Sequence, residues 1–363
     1  MKIGIVTYHR SHNYGALLQA IATRIVLESL GHEAYYVDYW PGYHRRMYAL
    51  VNEKALFQWN LLRSGRYLLK LLYTLKNKRL RRTNMNCFIA QYIEPYCKPE
   101  TERFDAIVYG SDQIWRKQRE GVGYNPIYFG QNDFCSNRHV SYAASMGILP
   151  KNATDTVQLR ELLSHLDRIS VREENLKDYL VSIGIPDVHV SLDPTLLLMS
   201  EQWDGVFNSV NGKQIGVTRE KYILFYDLMP NSFRHSEIVR YAYEKHCKLK
   251  VLYGRSIHRE TADRICTASP KGFVDLIRNA EFVFTSSFHG LVFSIIYEKP
   301  FLASFALNAG RAESILQQLG LSDRLAKPMG ELSIDNYTID YKAVKERLKA
   351  MRTESIQFIA DSI

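Results

Sequence analysis

The chain has 363 residues, of which 46% are hydrophobic and 23% are charged, and its formal net charge is +9. This length suits two domains better than one core, and no apolar run is long enough to span a membrane. The amino-terminal sequence MKIGIVTYHR lacks the long apolar stretch of a signal peptide. The five cysteines form no Cys-x-x-Cys pair, which favours reduced thiols in the cytoplasm over a disulfide framework or a zinc cluster.

The first predicted elements form the opening of a Rossmann-like unit. An apolar strand at 2–8 leads through Asn13-Tyr14-Gly15 into a helix that ends near Gly31, and a second strand follows at 34–39. Without a G-x-G-x-x-G motif, a dinucleotide site is not expected. The turn can still receive a polar ligand through Asn13 and the Gly15 backbone, or it can be plain turn chemistry.

The positive charge is concentrated in a helical insertion predicted at 44–93. Residues 54–82 hold nine basic and no acidic side chains, whereas the rest of the chain balances 38 basic residues against 38 acidic ones. Such a local excess indicates one anionic partner rather than nucleic acid. Leucines interleaved with the cations suit a helix on an anionic membrane surface, and the alternative is a helical hairpin with a solvated basic face.

Three further strands are predicted to end in polar residues. The strand at 104–109 runs into Gly110-Ser111-Asp112-Gln113-Ile114-Trp115-Arg116, where Asp112 could accept hydroxyl hydrogen bonds and Trp115 could face a sugar ring, although Asp112 could also cap a turn. The strand at 140–144 ends at Ser145. The strand at 168–171 ends at Arg172, which should face the ligand crevice of the sheet or pair with Glu173 or Glu174.

The stretch FVFTSSFHGLVFSIIYEKP, residues 282–300, combines a buried strand, a polar turn and a helix. The unpaired N–H groups and dipole of a helix N-terminus favour an anion in such a turn. Thr285, Ser286 and Ser287 add hydroxyl donors, and His289 can carry a proton near neutral pH. Alternatively, a serine only caps the helix and His289 is a satisfied buried histidine.

Strands and helices alternate twice along the chain, which predicts an α/β protein with two Rossmann-like domains facing a central cleft. We expect the first domain at 1–199 and the second at 200–340. A terminal helix at 341–363 can pack back on the first domain.

The chain resembles the polysaccharide pyruvyl transferase family over most of its length. The resemblance rests on the order and spacing of several short motifs, which are Asn13-Tyr14-Gly15, residues 110–115, residues 141–147, Ser170-Val171-Arg172-Glu173 and Asp193-Pro194. It implies a GT-B-like fold. It also implies transfer of the enolpyruvyl group of phosphoenolpyruvate to two sugar hydroxyls, which gives a pyruvate ketal and phosphate.

The resemblance also implies roles for individual residues. The expected catalytic residues are His289 and Asp112. The expected donor-binding residues are Arg172, Thr285, Ser286, Ser287, Gly290 and Arg311. The expected acceptor-binding residues are Asn13, Tyr14, Trp115 and Ser145. No metal and no cofactor beyond phosphoenolpyruvate as co-substrate are expected.

The sequence departs from the family at one donor position. Many members have Ser-x-Arg-x-His before the helix, whereas here Ser287 occupies the arginine position. Arg311, Arg138 or Arg255 could supply the missing cation from elsewhere.

The expected acceptor is a galactose-like residue, which a lipid-linked oligosaccharide could carry, in the biosynthesis of a capsule or exopolysaccharide. The protein would then act in the cytoplasm, at the inner face of the membrane. Two other functions remain open at this point, a GT-B glycosyltransferase that uses a nucleotide sugar and a non-catalytic, membrane-docked glycan-binding protein.

Overall fold

The computed structural model describes residues 1–49, 61–118, 123–150, 152–208, 220–252, 263–265, 267–307, 309–332 and 338–363, with side chains in the long helix from Thr74 onwards. The candidate cation Arg255 lies outside the described residues. The predicted basic insertion also rests partly on residues outside them.

The first domain is built on a seven-stranded parallel sheet with the order β3-β2-β1-β5-β7-β8-β9. Its strands are β1 (Lys2–Val6), β2 (Glu33–Val37), β3 (Cys97–Lys98), β5 (Ala106–Tyr109), β7 (His139–Ala144), β8 (Arg168–Val171) and β9 (Val188–Val190). A separate pair joins β4 (Arg103–Phe104) to β6 (Cys135–Ser136). The chain leaves β1 towards β2 on one side and returns to β5 on the other, so the crevice at the carboxyl ends of β1 and β5 is a topological switch point, where such sheets bind ligands.

The helices of this domain connect and cover the strands. They are α1 (Tyr14–Ser29), α2 (Gly42–Met47), α3 (Leu61–Tyr92), α4 (Ala153–Leu163), α5 (Glu174–Ser182), α6 (Pro194–Leu197) and α7 (Ser200–Asn208), with 3₁₀ turns at Glu94–Tyr96 and Pro126–Phe129. The buried residues of α1 run from Tyr14 to Leu27, so this helix lies inside the molecule rather than on its surface.

The second domain repeats the pattern on a five-stranded parallel sheet with the order β12-β11-β10-β13-β14. Its strands are β10 (Tyr222–Tyr226), β11 (Lys248–Leu252), β12 (Asp263–Ile265), β13 (Phe282–Thr285) and β14 (Phe301–Ala303). Its helices are α8 (His235–Glu244), α9 (Pro270–Arg278), α10 (Phe288–Ile296), α11 (Gly310–Leu319) and α12 (Tyr341–Ser362), with a 3₁₀ turn at Ser322–Arg324.

The two domains share one hydrophobic core, which contains residues of both sheets. At its centre the Tyr14 hydroxyl of α1 donates to the Ala268 carbonyl at 2.8 Å, and the Tyr14 ring stacks on Phe273 with 4.8 Å between centroids. Because these contacts join the start of α1 to the start of α9, they hold the carboxyl edges of the two sheets face to face.

The carboxyl-terminal helix α12 also links the domains. The Leu192 N–H donates to Ser355 Oγ at 3.0 Å, Arg352 Nε donates to the Leu196 carbonyl at 2.6 Å, and the Phe358 ring lies 4.9 Å from that of His189. The last helix of the chain therefore packs on the end of the first sheet. Among the described residues, we find no helix with the length and apolar character needed to cross a bilayer.

Candidate active site

The candidate site lies where the carboxyl ends of the two sheets meet. The first domain contributes Arg172 after β8 and Asp193 after β9, and the second contributes Phe288 and His289 in the first turn of α10 and Arg311 in the first turn of α11. Loops that follow parallel strands emerge at the same edge of a sheet. Residues far apart in the sequence therefore converge here.

Asp193 is the centre of this cluster. Its buried carboxylate accepts hydrogen bonds from Arg172 Nη1, from Ser111 Oγ at 3.3 Å and from the Thr195 N–H at 3.0 Å. His289 Nε2 of the other domain lies 3.6 Å from the same carboxylate. Burial opposes ionisation, but His289 and Arg172 outweigh it and hold the pKa of Asp193 well below its usual range. Asp193 is therefore a fixed negative charge between the domains.

Arg172 is a buried cation with unused donors. Burial lowers its pKa, but Asp193 and Glu173 more than compensate and leave the pKa of the guanidinium above its ordinary value. The guanidinium carbon lies 4.9 Å from the centroid of the Phe288 ring. Arg172 Nε lies 3.8 Å from Glu173 Oε1, so the two residues form an ion pair. Among the described residues, however, neither Nε nor Nη2 has a hydrogen-bond acceptor, although both atoms are buried. Buried polar groups are normally satisfied, so these donors indicate a place for an anionic ligand.

Arg311 places a second guanidinium beside the first. It lies 5.2 Å from the Phe288 centroid, and its Nε is 3.9 Å from Glu173 Oε1. Its side chain is 17% exposed. Burial, and then the charge of Arg172, lowers the pKa of Arg311 to about 10. The guanidinium is still protonated at neutral pH, so two cations stack on one aromatic ring.

Glu173 is held between these two arginines. Its Oε1 accepts a hydrogen bond from Ser145 Oγ at 2.6 Å, and its buried Oε2 has no hydrogen-bond partner within the described parts of the chain. Burial raises the pKa of Glu173, and Arg172 and Arg311 oppose that shift only in part. The carboxyl group therefore holds its proton more tightly than an exposed glutamate.

The start of α1 touches His289 directly. An ideal Cβ placed on Gly15 would lie 1.9 Å from His289 Nδ1 and 2.3 Å from Cε1. Only a residue without a side chain allows the two helix N-termini to approach this closely. The imidazole is therefore confined between Gly15 on one side and Asp193 on the other.

Two cavities adjoin the cluster, and Arg311 lies between them. A cavity of about 430 Å³ is lined by Arg172, Asp193, Phe288 and Arg311 and extends between α11 and α12. A smaller cavity of about 210 Å³ lies on the other side of Arg311, against Glu173 and the turn at Met146-Gly147. The site therefore has room for two groups of ligand atoms.

The structure corrects the expected donor contacts of the polar turn. Ser286 Oγ accepts from the Leu228 and Met229 N–H groups at 2.8 and 3.0 Å, and Thr285 Oγ1 accepts from the Ser287 N–H at 3.1 Å. Ser287 Oγ caps α10 by accepting from the Gly290 N–H at 3.4 Å. Thr285, Ser286, Ser287 and Gly290 build the turn that positions His289. The Thr285 and Ser286 hydroxyls also donate to backbone carbonyls at 3.3 and 3.4 Å, so those two side chains have little left to offer a ligand.

Three expected acceptor contacts are also corrected. Trp115 is fully buried, stacks on Phe129 and donates its indole N–H to the Tyr128 carbonyl at 3.0 Å, so it belongs to the core and offers no face to a sugar. Tyr14 is part of the domain contact described above. Ser145 is buried and bonded to Glu173.

Asn13, Asp112 and Arg138 complete the expected set. Asn13 is exposed, and its side chain caps α1 by accepting from the Ala16 N–H at 3.3 Å. Asp112 is half-buried at the end of β5, where Oδ1 accepts from the Gln113 N–H at 2.7 Å. Its negative charge acts to raise the pKa values of both Arg172 and Arg311. Arg138 precedes the first residue of β7, at the amino end of the sheet, so it lies away from the site.

Sequence reasoning missed the central role of Asp193 and the aromatic platform of Phe288. A signal for Asp193 was present, since an aspartate follows the predicted strand at 188–190 at the binding edge of the sheet. Phe288 gave no such signal, because an apolar residue at the start of a helix is ordinary core.

The structure also brings together His9, Asp38 and Cys97, whose ligand atoms lie within 4.8 Å of one another. Their positions are too far apart in the sequence for a spacing motif to reveal them. Arg10 Nε already donates to Asp38 at 2.6 Å, and His9 and Arg10 together hold the pKa of Asp38 well below its usual range. The negative charge of Asp38 is therefore already neutralised by Arg10.

Two parallel α/β sheets that face each other across a cleft, with site residues from both, define the GT-B-like class. The sequence profile of the family described as polysaccharide pyruvyl transferase matches residues 13–305. The chain belongs to this family, which is a family of transferases. A comparison with curated protein sequences finds no match.

Comparison with solved structures agrees on the fold. The UDP-GlcNAc 2-epimerase from Neisseria meningitidis bound to UDP-GlcNAc aligns with a TM-score of 0.51 at 11% identity, covering 100% of this chain and 99% of that one. The heptosyltransferase WaaC from E. coli with ADP aligns with a TM-score of 0.42 at 9% identity, covering 97% of this chain and 100% of that one. The likeness to the epimerase, at 11% identity, concerns the fold alone, and the alignment with WaaC carries no argument.

Proposed function

We propose that this protein transfers the enolpyruvyl group of phosphoenolpyruvate to two hydroxyls of one sugar residue, which forms a cyclic pyruvate ketal and releases phosphate. Besides the family, the observation that supports this most is the pair of unsatisfied donors on buried Arg172. Leaving a buried donor unpaired costs about 1–3 kcal/mol, more for a charged group, and an anionic ligand removes that cost. Phosphoenolpyruvate offers a carboxylate and a phosphate to the adjacent cations.

Arg311 is our candidate for the second donor cation, in place of the arginine that many family members have at the position of Ser287. It lies beside the Phe288 ring, as Arg172 does, and it lines both cavities. A charge-assisted hydrogen bond contributes about 1.5–3 kcal/mol. Arg311→Gln should therefore raise the KM for phosphoenolpyruvate by about tenfold or more. Arg138→Gln, which removes the same charge at the opposite end of the first sheet, should leave it unchanged.

His289 is our candidate for proton transfer. The methylene carbon of the donor must gain a proton, which leaves a cationic carbon for a sugar hydroxyl to attack. Phosphate then leaves and the second hydroxyl takes its place. Two hydroxyl protons are lost in all; one balances the proton now on the methyl carbon and the other leaves with the phosphate. Asp193 keeps the imidazole in position from one side at 3.6 Å, and Asp112, at the end of β5, is the candidate to receive a hydroxyl proton.

We propose a galactose-like acceptor, carried on a lipid-linked oligosaccharide of surface polysaccharide biosynthesis. Exposed cations on α3 suit contact with an anionic membrane. They include Lys76, Lys78 and Arg79. Arg81, by contrast, donates to the His12 carbonyl at 3.2 Å, so it also supports the loop before α1.

The test is an assay of purified protein with phosphoenolpyruvate and a panel of galactose-containing acceptors. Release of inorganic phosphate that depends on the acceptor supports the proposal, and a product heavier by the pyruvate ketal identifies the bond. Consumption of a nucleotide sugar instead would establish a glycosyltransferase. Binding of glycans without turnover of any donor would leave a binding protein.

A further inference from the structure

A third cavity, of about 330 Å³, adjoins the loop before α1. We call it the arginine cavity. Its walls come from the loop before α1, from α2 with the residues beside it, and from the last turns of α3. The lining residues are Arg10, His12, Trp40, Arg45, Tyr48, Arg82, Asn86, Ile89, Ala90 and Glu94. None of the roles assigned above uses this cavity.

The walls carry more positive charge than the surrounding structure neutralises. Arg10 is paired with Asp38 at 2.6 Å and with Glu94 at 3.4 Å, and Glu94 is the one acid among the described lining residues. Arg45 donates its Nε to the Trp40 carbonyl at 3.0 Å, and Arg82 has no ion pair within the described parts of the chain. Two exposed guanidinium groups thus remain without an acidic partner among the described lining residues, which favours an anionic occupant.

A second, independent feature is an unsatisfied donor. Trp40 lines the cavity, and its indole Nε1 is buried without a hydrogen-bond acceptor among the described residues. Buried indole N–H groups usually find an acceptor. His12 faces the same space, where burial lowers its pKa and the charges of Arg82 and Arg81 lower it further, while Asn86 opposes the shift. A ligand with several acceptor oxygens and negative charge fits these walls.

The position of the arginine cavity relates it to the proposed reaction. His12 is three residues from Gly15, so the Cα atoms of His12 and Gly15 are at most about 11 Å apart. Gly15 in turn touches His289. We propose that the arginine cavity binds the phosphate or diphosphate that follows the sugar in the acceptor. This inference rests on the proposed function in assuming a sugar acceptor near His289. It adds that the acceptor is a glycosyl phosphate or diphosphate, held by Arg45 and Arg82 while its sugar reaches the cleft.

Binding of inorganic pyrophosphate by the whole protein tests the cavity without any turnover. Arg45→Gln and Arg82→Gln should each weaken pyrophosphate binding by about tenfold or more. Arg46→Gln is the matched control, since Arg46 is exposed like its neighbour Arg45 on α2 but does not line the cavity. Unchanged binding in both cavity variants, or an equal loss in Arg46→Gln, would overturn the assignment.

Kinetics with two acceptors link the cavity to the reaction. With phosphoenolpyruvate as donor, Arg45→Gln should raise the KM for a glycosyl phosphate and leave that for the corresponding methyl glycoside unchanged. If the wild-type protein releases no phosphate from phosphoenolpyruvate, the proposed function fails, but the pyrophosphate titration still decides whether the cavity binds an oxyanion.

A lipid headgroup could supply the same phosphate chemistry. Co-sedimentation with phosphatidylglycerol vesicles separates the two sources. An Arg45→Gln protein that leaves the vesicles but keeps its affinity for the glycosyl phosphate would refute the acceptor assignment.

Discussion

Replacement of Gly15 by alanine tests whether the contact between the two domains sets the position of His289. The added Cβ would lie 1.9 Å from Nδ1, 2.3 Å from Cε1 and 2.4 Å from Cγ of the imidazole. Ordinary van der Waals contact begins near 3.4 Å, so the ring must move by about 1.5 Å. A misplacement of about 1 Å can cost roughly 10²-fold in rate. We therefore expect Gly15→Ala to lower kcat by about 10²-fold or more.

The effect on stability should be small in comparison. Overpacking costs about 1–3 kcal/mol, and alanine recovers up to about 1 kcal/mol of helix propensity because Gly15 lies in the first turn of α1. The assay is phosphate release at saturating donor and acceptor, with thermal unfolding measured on the same preparation. A large loss of rate with a small change in melting temperature is the expected outcome.

Gly205→Ala provides the matched control. Gly205 is an exposed residue of α7, and a Cβ there would meet no atom within 4 Å. The change should leave kcat unaffected and stabilise the protein by about 0.4–1 kcal/mol. If Gly15→Ala turned over substrate as fast as wild type, the imidazole would not need its observed position, and the proposed role of His289 would have to be abandoned.

Other predictions follow from the same site and surface. His289→Ala should lower kcat by about 10²–10⁴ with little change in the KM for the donor; near-normal turnover would make the histidine structural. Arg172→Lys keeps the charge that Asp193 needs but loses the planar fork, so the KM for phosphoenolpyruvate should rise by about tenfold or more, and an unchanged KM would place the donor elsewhere. Full activity should survive chelation, and activity lost to a chelator and restored by one divalent ion would contradict the expectation of a metal-free reaction. Replacing Lys76, Lys78 and Arg79 by Gln should release the protein from anionic vesicles, at roughly 1 kcal/mol per cation in low salt, without loss of activity on a water-soluble acceptor; unchanged co-sedimentation would leave a solvated helical face.

The sequence by itself was sufficient to predict the fold class. At the site it was sufficient to identify Arg172 and His289, but not Asp193, which both of them contact. Strands such as β1, β8 and β13 are short apolar runs bounded by polar turns, and their type follows from local pattern. Arg172 and His289 were identified because they follow such strands, where parallel sheets bind ligands. The motifs around Asn13 and Arg172 pointed to the family that the sequence profile confirms.

The partners of these residues were decided only by the tertiary structure. Local pattern does not distinguish a hydroxyl aimed at a ligand from one that accepts a backbone N–H, and so Thr285 and Ser286 were assigned to the donor although they hold the turn. Likewise, Trp115 has the side chain of a sugar platform but packs in the core.

The meeting of Asp193, Arg172, His289 and Arg311 depends on two sheets closing on each other. Asp193 contacts Arg172, 21 residues away, and His289, 96 residues away, and no periodicity within one element encodes such distances. The arginine cavity arises in the same way, because the loop before α1, the region of α2 and the end of α3 enclose it only after the chain has folded. Burial then gives Arg172 and Asp193 their effect, since a cation and a carboxylate that water would screen interact strongly once they are shielded together.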